Sequence, residues 1–325
     1  MPRQDSIYQI TEYVMDEDAV TNLNFNGDFL YNIFNDDDLE VLKFIASLQL
    51  IKNNMICNLC GQQMRLIKKK RSIDGYCWVC KAPCRKETNV RKDSIFEGFK
   101  KKFKMLFLFL HSWVKGHLQT EMREEHQLDK NTVSKWCMIL KEVCQLYFLM
   151  NPINLGGVEP NGMSKVVEID ESHFFRKKYN RCRYRNAIWV FGAIERGTNN
   201  CLLVPVPDRR AETLLPIIER HILPGTTIIS DCWAAYNALS NTPNYTHETV
   251  NHRYNFVSPD NPTVHTQNIE NCWLHTKRFL RKQFGTARNQ LEGYLYEFMF
   301  KKKFPEKSKR LNNFILVLRA VGDIN

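Results

Sequence analysis

Three acidic side chains stand where metal-assisted phosphoryl chemistry would need them. Asp170 lies in VVEIDES (residues 166–172), a β-branched run that reads as a strand. Asp231 ends the short apolar strand TTIIS (226–230), and Trp233, Ala234 and Tyr236 read as the opening of the next helix. Glu270 falls in QNIENCWLHTKRFLRK (267–282), which has the periodicity of a helix. Taken singly, an Asp after a strand is a turn former and a Glu on a helix is a solvated charge. Taken together, three carboxylates within a few ångströms would repel one another and raise their own pKa values, and divalent cations remove that penalty. Two Mg²⁺ or Mn²⁺ ions about 3.5–4 Å apart can clamp the attacking and leaving oxygens of an in-line displacement at phosphorus. Glu168 and Glu171 flank Asp170 as alternative ligands, both read as facing away from it. His173 is either a phosphate contact or a packing histidine.

A second constellation is sulfur-based. Five of the eleven cysteines crowd between Cys57 and Cys84. Cys57 and Cys60 form one knuckle, with Gly61 behind it for a tight turn. The second knuckle is either Cys77 with Cys80 or Cys80 with Cys84. Four thiolates complete a tetrahedral shell for structural Zn²⁺, which would hold together a module with too few apolar residues for its own core. No secretory signal is visible and the cysteine number is odd, so disulfides are not expected and an intracellular site is.

These residues need elements to position them. Residues 1–50 form an acidic leader ending in a helix capped near Asp37 or Asp38. Residues 51–99 make the zinc ribbon, and residues 100–150 a helical segment. There Phe107, Leu110, Trp113 and Val114 mark one apolar face, and Val133, Trp136, Leu140, Val143 and Leu146 mark another. The short helix over 120–127 and the helix that follows Asp129 are spaced like a helix-turn-helix, with Lys130, Asn131 and Thr132 at the end that would enter a major groove. Trp136 and Cys137 read as core.

A Gly-, Pro- and Asn-rich link (151–164) leads to residues 165–310, and residues 311–325 are left as a tail. In that last large segment three strands are followed by a helix, a strand, a helix, a strand and a helix. This is the element order of an RNase H-like fold, an α/β mixed sheet flanked by helices. It would put the Asp170 strand at the centre beside the one ending at Asp231, with a helix delivering Glu270 to their common edge.

Charge points to a polyanionic partner. The net charge is +11, yet residues 1–50 carry ten acidic and two basic side chains. The rest carries 44 basic against 25 acidic ones, an excess that suits phosphate binding through counterion release. Arg176, Lys177, Lys178, Lys277, Arg278 and Arg281 are candidates to line a DNA path, and the acidic leader is a candidate to compete with DNA for it. Lys68–Arg71 and Lys100–Lys104 suit nuclear import in a eukaryote; elsewhere the protein would sit on DNA in the cytoplasm. No run of eighteen apolar residues exists, so a membrane span is not expected.

The blocks VVEIDESHFFRKKYNRCRYR, IISDCWAAY and HTQNIENCWLHTKRFLR, with WVCKAPCRKETNVRKDSIFEG upstream, resemble Merlin-type transposases and related bacterial insertion-sequence enzymes. The resemblance spans roughly residues 55–300. It implies an RNase H-like DDE domain with Asp170, Asp231 and Glu270 as triad, and Mg²⁺ as metal. Asp170 would bridge the two ions while Asp231 and Glu270 complete one shell each. The implied substrates are transposon ends with inverted repeats and target duplex DNA, bound by a homodimer or larger assembly. Water would cut the end to leave a 3′-hydroxyl, which would then attack the target. The likeness favours Cys80 and Cys84 as the second zinc pair, with Cys77 spare. Asp93 departs from the family, which tends to carry glycine there. The alternative is a domesticated, non-catalytic DNA-binding protein descended from a transposase.

Overall fold

Asp16 stops an extended segment by accepting the Ala19 amide at 2.7 Å, and α1 (Glu17–Asn22) starts there. The structure is a computed structural model, described over residues 7–35, 37–174, 188–251, 261–283 and 288–322. The chain divides into two compact units, Met1–Cys137 with Glu306–Asn325, and Met138–Pro305.

In the first unit, α1 is followed by α2 (Gly27–Asn35) and α3 (Asp38–Ser47), whose N-cap is Asp37. The leader is therefore more than an arm with one helix. Val20, Phe25, Leu30, Leu42 and Ile45 are all buried, and half-buried Asp38 pairs with Lys102 at 2.9 Å. The leader thus supplies core residues of the first unit.

Three short antiparallel strands come next in the order β1 (Arg65–Lys68), β2 (Tyr76–Val79), β3 (Glu87–Asn89). Trp78 on the middle strand has no solvent exposure. Behind this sheet Arg91 makes a two-pronged buried ion pair with Asp74, both contacts 2.6 Å, and donates to the carbonyls of Phe99 and Lys101. Asp93 has a left-handed backbone, φ 60°, and pairs with Lys52 and Lys92. That conformation favours glycine, and Asp is among the few side chains that tolerate it.

The apolar face of α4 (Phe103–Lys115) is buried as its spacing predicts, and the helix stops at Gly116, φ 87°. A turn through His126–Leu128 separates α5 (Gln119–Glu125) from α6 (Lys130–Met150). Val133, Trp136, Cys137, Leu140 and Val143 are buried; Leu146, expected with them, is 42 % exposed. The C-terminal residues are no tail. Arg310–Gly322 is a helix in which Asn312 donates to the carbonyls of Val20 and Leu23, Arg310 to that of Val114, and Phe314 packs on Trp113.

The second unit runs β4 (Leu155–Gly156), β5 (Val166–Phe174), β6 (Ile188–Glu195), β7 (Cys201–Val206), α7 (Ala211–His221), β8 (Ile222–Leu223) and β9 (Thr226–Asp231). A 3₁₀ helix (Ala234–Asn241), β10 (Tyr245–Val250), α8 (Gln267–Lys282) and α9 (Leu291–Lys303) complete it. Its main sheet is mixed, ordered β10-β9-β5-β6-β7, with β5 antiparallel to β6 and parallel to β9. The Asp170 strand is thus central and beside the strand that ends at Asp231, as the element order predicts.

Strand alternation then assigns the faces. Val167 and Ile169 of β5, with Phe191 and Ala193 of β6, join a core with Leu214 and Ile218 of α7 and Tyr236 and Leu239 of the 3₁₀ helix. The other face, bearing Glu168 and Asp170, meets α8.

Candidate active site

Asp170 sits at the pleat position level with Gly192 of β6. A Cβ on Gly192 would come within 2.6 Å of two ring carbons of Trp273, so the glycine is what lets that indole lie on the sheet. From there Trp273 Nε1 donates to Asp170 Oδ2 at 2.9 Å. Continuing the parallel register Glu168↔Ile229 by two residues puts Asp231 level with Asp170 on the neighbouring strand. Asp231 accepts the Trp233 amide at 3.0 Å, so it forms a turn and faces the same edge at once. Glu270, in the first turn of α8, is exposed and accepts from Thr266 Oγ1 at 3.2 Å.

The electrostatics record the gathering. Burial pushes the Asp170 carboxyl up to about 6; the charges of Asp231 and Glu270 add to this, and the Trp273 hydrogen bond opposes it. The three acids therefore share one field. They do not pack closely enough for all ligand oxygens to lie within 4.8 Å of one another, a spacing that only the thiol cluster below reaches among the described residues.

Glu168 and Glu171 do not share a face, which corrects the sequence reading. Residue 168 is two positions from 170 and has its parity, so both point to α8; only Glu171 points away. Glu168 is fully buried and saturated. It accepts from Arg196 Nε at 2.6 Å, from the backbone amides of Asn268 and Ile269 at 2.8 and 3.0 Å, and from Asn268 Nδ2 at 2.7 Å. It caps α8 from outside the helix, where a carboxylate is favoured, and so ties Glu270 and Trp273 to β5. Glu171 is pushed up to about 8, mainly by burial and then by Asp170 and Asp231; Arg209 works the other way. Tyr236 donates its hydroxyl to Glu171.

The cationic candidates divide. Arg176, Lys177 and Lys178 lie outside the described residues. Lys277 is half-buried over the Phe174 ring; burial lowers its pKa, and the charge of Asp170 acts against that. Arg278 and Arg281 are exposed on α8 and line one surface hollow with Leu274 and Lys282. Lys130 and Asn131 are exposed at the start of α6, whereas Thr132 gives its amide and its hydroxyl to Asp129. His173 packs its ring on Trp189 on the face away from Asp170.

In the first unit Cys57, Cys60, Cys80 and Cys84 bring their sulfurs within 4.8 Å of one another, with Cys57–Cys84 at 3.7 Å and Cys60–Cys80 at 3.2 Å. Backbone amides at Leu59 and Cys60 draw the Cys57 thiol down to about 7, while the hydrogen bond with Cys60 leads in pushing Cys80 up to about 12. Four crowded thiols with split acidity are a donor set that fits one tetrahedral cation such as zinc. Cys77 is buried on β2 and outside this group.

Sequence reasoning missed Trp273, Gly192 and the capping role of Glu168. A signal existed for the last two: residue parity for Glu168, and a glycine inside the strand run AIWVFGAI for a close approach.

The chain thus carries acids at the edge of a mixed sheet in one unit and a thiol cluster in the other. Residues 162–303 match the family described as the ISXO2-like transposase domain, a span that holds all three acids and excludes the four cysteines. An uncharacterized transposase-like protein of Haemophilus influenzae is 33% identical over 94 residues, covering 29% of this chain and 73% of that protein. The male abnormal protein mab-31 of Caenorhabditis elegans is 24% identical over 331 aligned positions, 94% of this chain and 73% of its own length. The chain belongs to the ISXO2-like transposase family. No helix among the described residues is long and apolar enough to cross a membrane.

Proposed function

We propose that the chain is a DNA transposase whose second unit is an RNase H-like DDE domain, with Asp170, Asp231 and Glu270 as its catalytic acids. The observation that carries this is the raised pKa of Asp170, caused by burial and by its two acidic neighbours, at the edge of the two central strands. A carboxylate kept this uncomfortable without a cation is a site that gains when one binds. The acids fit hard divalent cations such as Mg²⁺, which when bound would neutralise charge building on the phosphodiester and its attacking oxygen. Asp170, Asp231 and Glu270 would together hold those cations.

The chain's own residues do the rest. Trp273 fixes the Asp170 carboxylate through its indole N–H, and Glu168 fixes the start of α8 and hence Glu270. Lys277, Arg278 and Arg281 would bind backbone phosphates along α8, and Lys130 and Asn131 would contact duplex DNA from α6. In the first cut, water attacks phosphorus, the P–O3′ bond breaks and the transposon strand keeps a 3′-hydroxyl. In the second step that hydroxyl attacks a target phosphodiester, the target's own P–O3′ bond breaks, and a 3′-hydroxyl is left on the target strand. Zn²⁺ on Cys57, Cys60, Cys80 and Cys84 would be structural.

The test is cleavage of plasmid DNA carrying the inverted repeats that flank the coding sequence, with and without Mg²⁺. Asp170→Asn, Asp231→Asn and Glu270→Gln should each lower cutting by at least about 10²–10³ while binding persists. Wild-type protein that binds the repeats and never cuts them would establish the second reading, a domesticated DNA-binding protein. The near full-length alignment to mab-31, whose name is not that of a transposase, favours that alternative.

A further inference from the structure

The sheet edge that carries Asp231 also carries a column of planar groups that the chemistry above leaves unused. His173 of β5 stacks on Trp189 of β6, ring centres 4.3 Å apart. The Arg209 guanidinium, just after β7, lies 4.2 Å from the Trp189 ring centre and 4.1 Å from that of Trp233. An arginine is thus sandwiched between two indoles. Trp233 closes the column two residues beyond Asp231. Its indole N–H donates to the Arg209 carbonyl at 2.9 Å and its backbone N–H donates to the Asp231 carboxylate at 3.0 Å.

Trp233 is nevertheless 37 % exposed, in contrast to the fully buried Trp78 of the first unit. A large ring held by its indole hydrogen bond and one stacked cation, yet left open to solvent two residues beyond Asp231, is preorganised for a flat, electron-rich partner. Nucleobases are such partners, and aromatic side chains bind them with little regard to sequence because every base has a π-face. A base inside a duplex has both faces covered by its neighbours, so only an unpaired or extruded base can use the platform.

We propose that Trp233, backed by Arg209 and Trp189, receives one unpaired nucleobase of the DNA strand bound at the Asp170–Asp231–Glu270 edge. Its placement beside cut DNA rests on the transposase reading above; its binding chemistry does not. The same column draws DNA electrostatically through Arg209, whose only acidic contact at this edge among the described residues is Glu171 at 3.9 Å.

The experiment measures binding of fluorescein-labelled hexathymidylate and of an abasic hexamer with the same phosphates, by anisotropy in EDTA so that no cleavage occurs. Wild-type full-length protein should bind the thymidylate about tenfold more tightly than the abasic strand. Trp233→Phe should keep most of that preference. Trp233→Ala should abolish it with affinity for the abasic strand unchanged, and thermal melting of both variants verifies that they are folded. A wild type without base preference, a Trp233→Ala protein that retains it, or equal loss of both probes would overturn the proposal. The two readings fail separately. Protein that prefers bases but never cuts DNA refutes the nuclease, and protein that cuts DNA without base preference refutes the platform.

Discussion

Replacing Asp170 by Asn should make the metal-free protein more stable, and most so at neutral and higher pH. In the unfolded chain this carboxyl releases its proton near 3.8, whereas the folded protein holds it until about 6. Between those values the folded state binds more protons, so stability falls as pH rises, and above about 6 the full penalty stands. A displacement of roughly 2 pKa units corresponds to about 3 kcal/mol. Asp170 keeps some access to solvent, and screening brings the expected gain to about 2 kcal/mol. Asparagine retains the oxygen that accepts from Trp273 Nε1 and removes only the charge. For a body the size of Met138–Pro305 this raises the melting temperature by about 4–8 °C. Differential scanning calorimetry in EDTA at pH 7.5 and at pH 4.5 measures it, and the gain should shrink to about a third at the lower pH. Glu171 is held high partly by the Asp170 charge, so the variant relieves it too and the effect adds in the same direction at neutral pH. Adding Mg²⁺ should stabilise the wild type and have much less effect on the variant. A variant that melts at or below wild type at pH 7.5, or an equal gain at both pH values, would refute the reasoning.

Gly192→Ala should cost about 1–3 kcal/mol in urea denaturation, because its methyl group displaces the Trp273 ring, and should depress cleavage by freeing Asp170. Glu168→Ala should cost about 3–5 kcal/mol, since Arg196 and two amides of α8 lose their acceptor; an unchanged denaturation midpoint would remove the capping role. Metal analysis of purified variants should find one zinc per chain in wild type and in Cys77→Ser, and none in Cys84→Ser. Zinc retained by Cys84→Ser and lost from Cys77→Ser would reverse the assignment.

Much of the second unit was legible because its strands are dense in Val, Ile and Leu and Asp231 falls at the end of one of them. The parity of β5 was equally legible and was misread, which put Glu168 on the wrong face. After Asp231 the chain was expected to start an ordinary helix; the structure has a 3₁₀ helix over Ala234–Asn241. Trp273 could not be found from sequence, because its hydrogen bond to Asp170 spans 103 residues and depends on a missing side chain at Gly192. The first unit hid more. Its N-terminal helices are short and acidic, so their charge masked Val20, Phe25 and Leu30 as core. In the last helix two polar residues, Arg310 and Asn312, are buried by hydrogen bonds to distant carbonyls, a pattern that reads as solvent-facing until those partners are known.

That last helix makes the first unit discontinuous, and the discontinuity has a consequence for the newborn chain. Residues that close the thiol-bearing body are translated roughly 185 residues after Cys137, which at bacterial or eukaryotic elongation rates is a delay of roughly 10–40 s. During that interval the second unit can collapse around its own sheet, while the carbonyls of Val20 and Leu23 still lack the amide of Asn312 and Trp113 still lacks Phe314. The basic ribbon and helical segment therefore reach their finished shape only once the acidic site is already synthesised. A product cut short before Arg310 would carry all three acids while its first unit still lacked the helix that closes it, and would be prone to degradation.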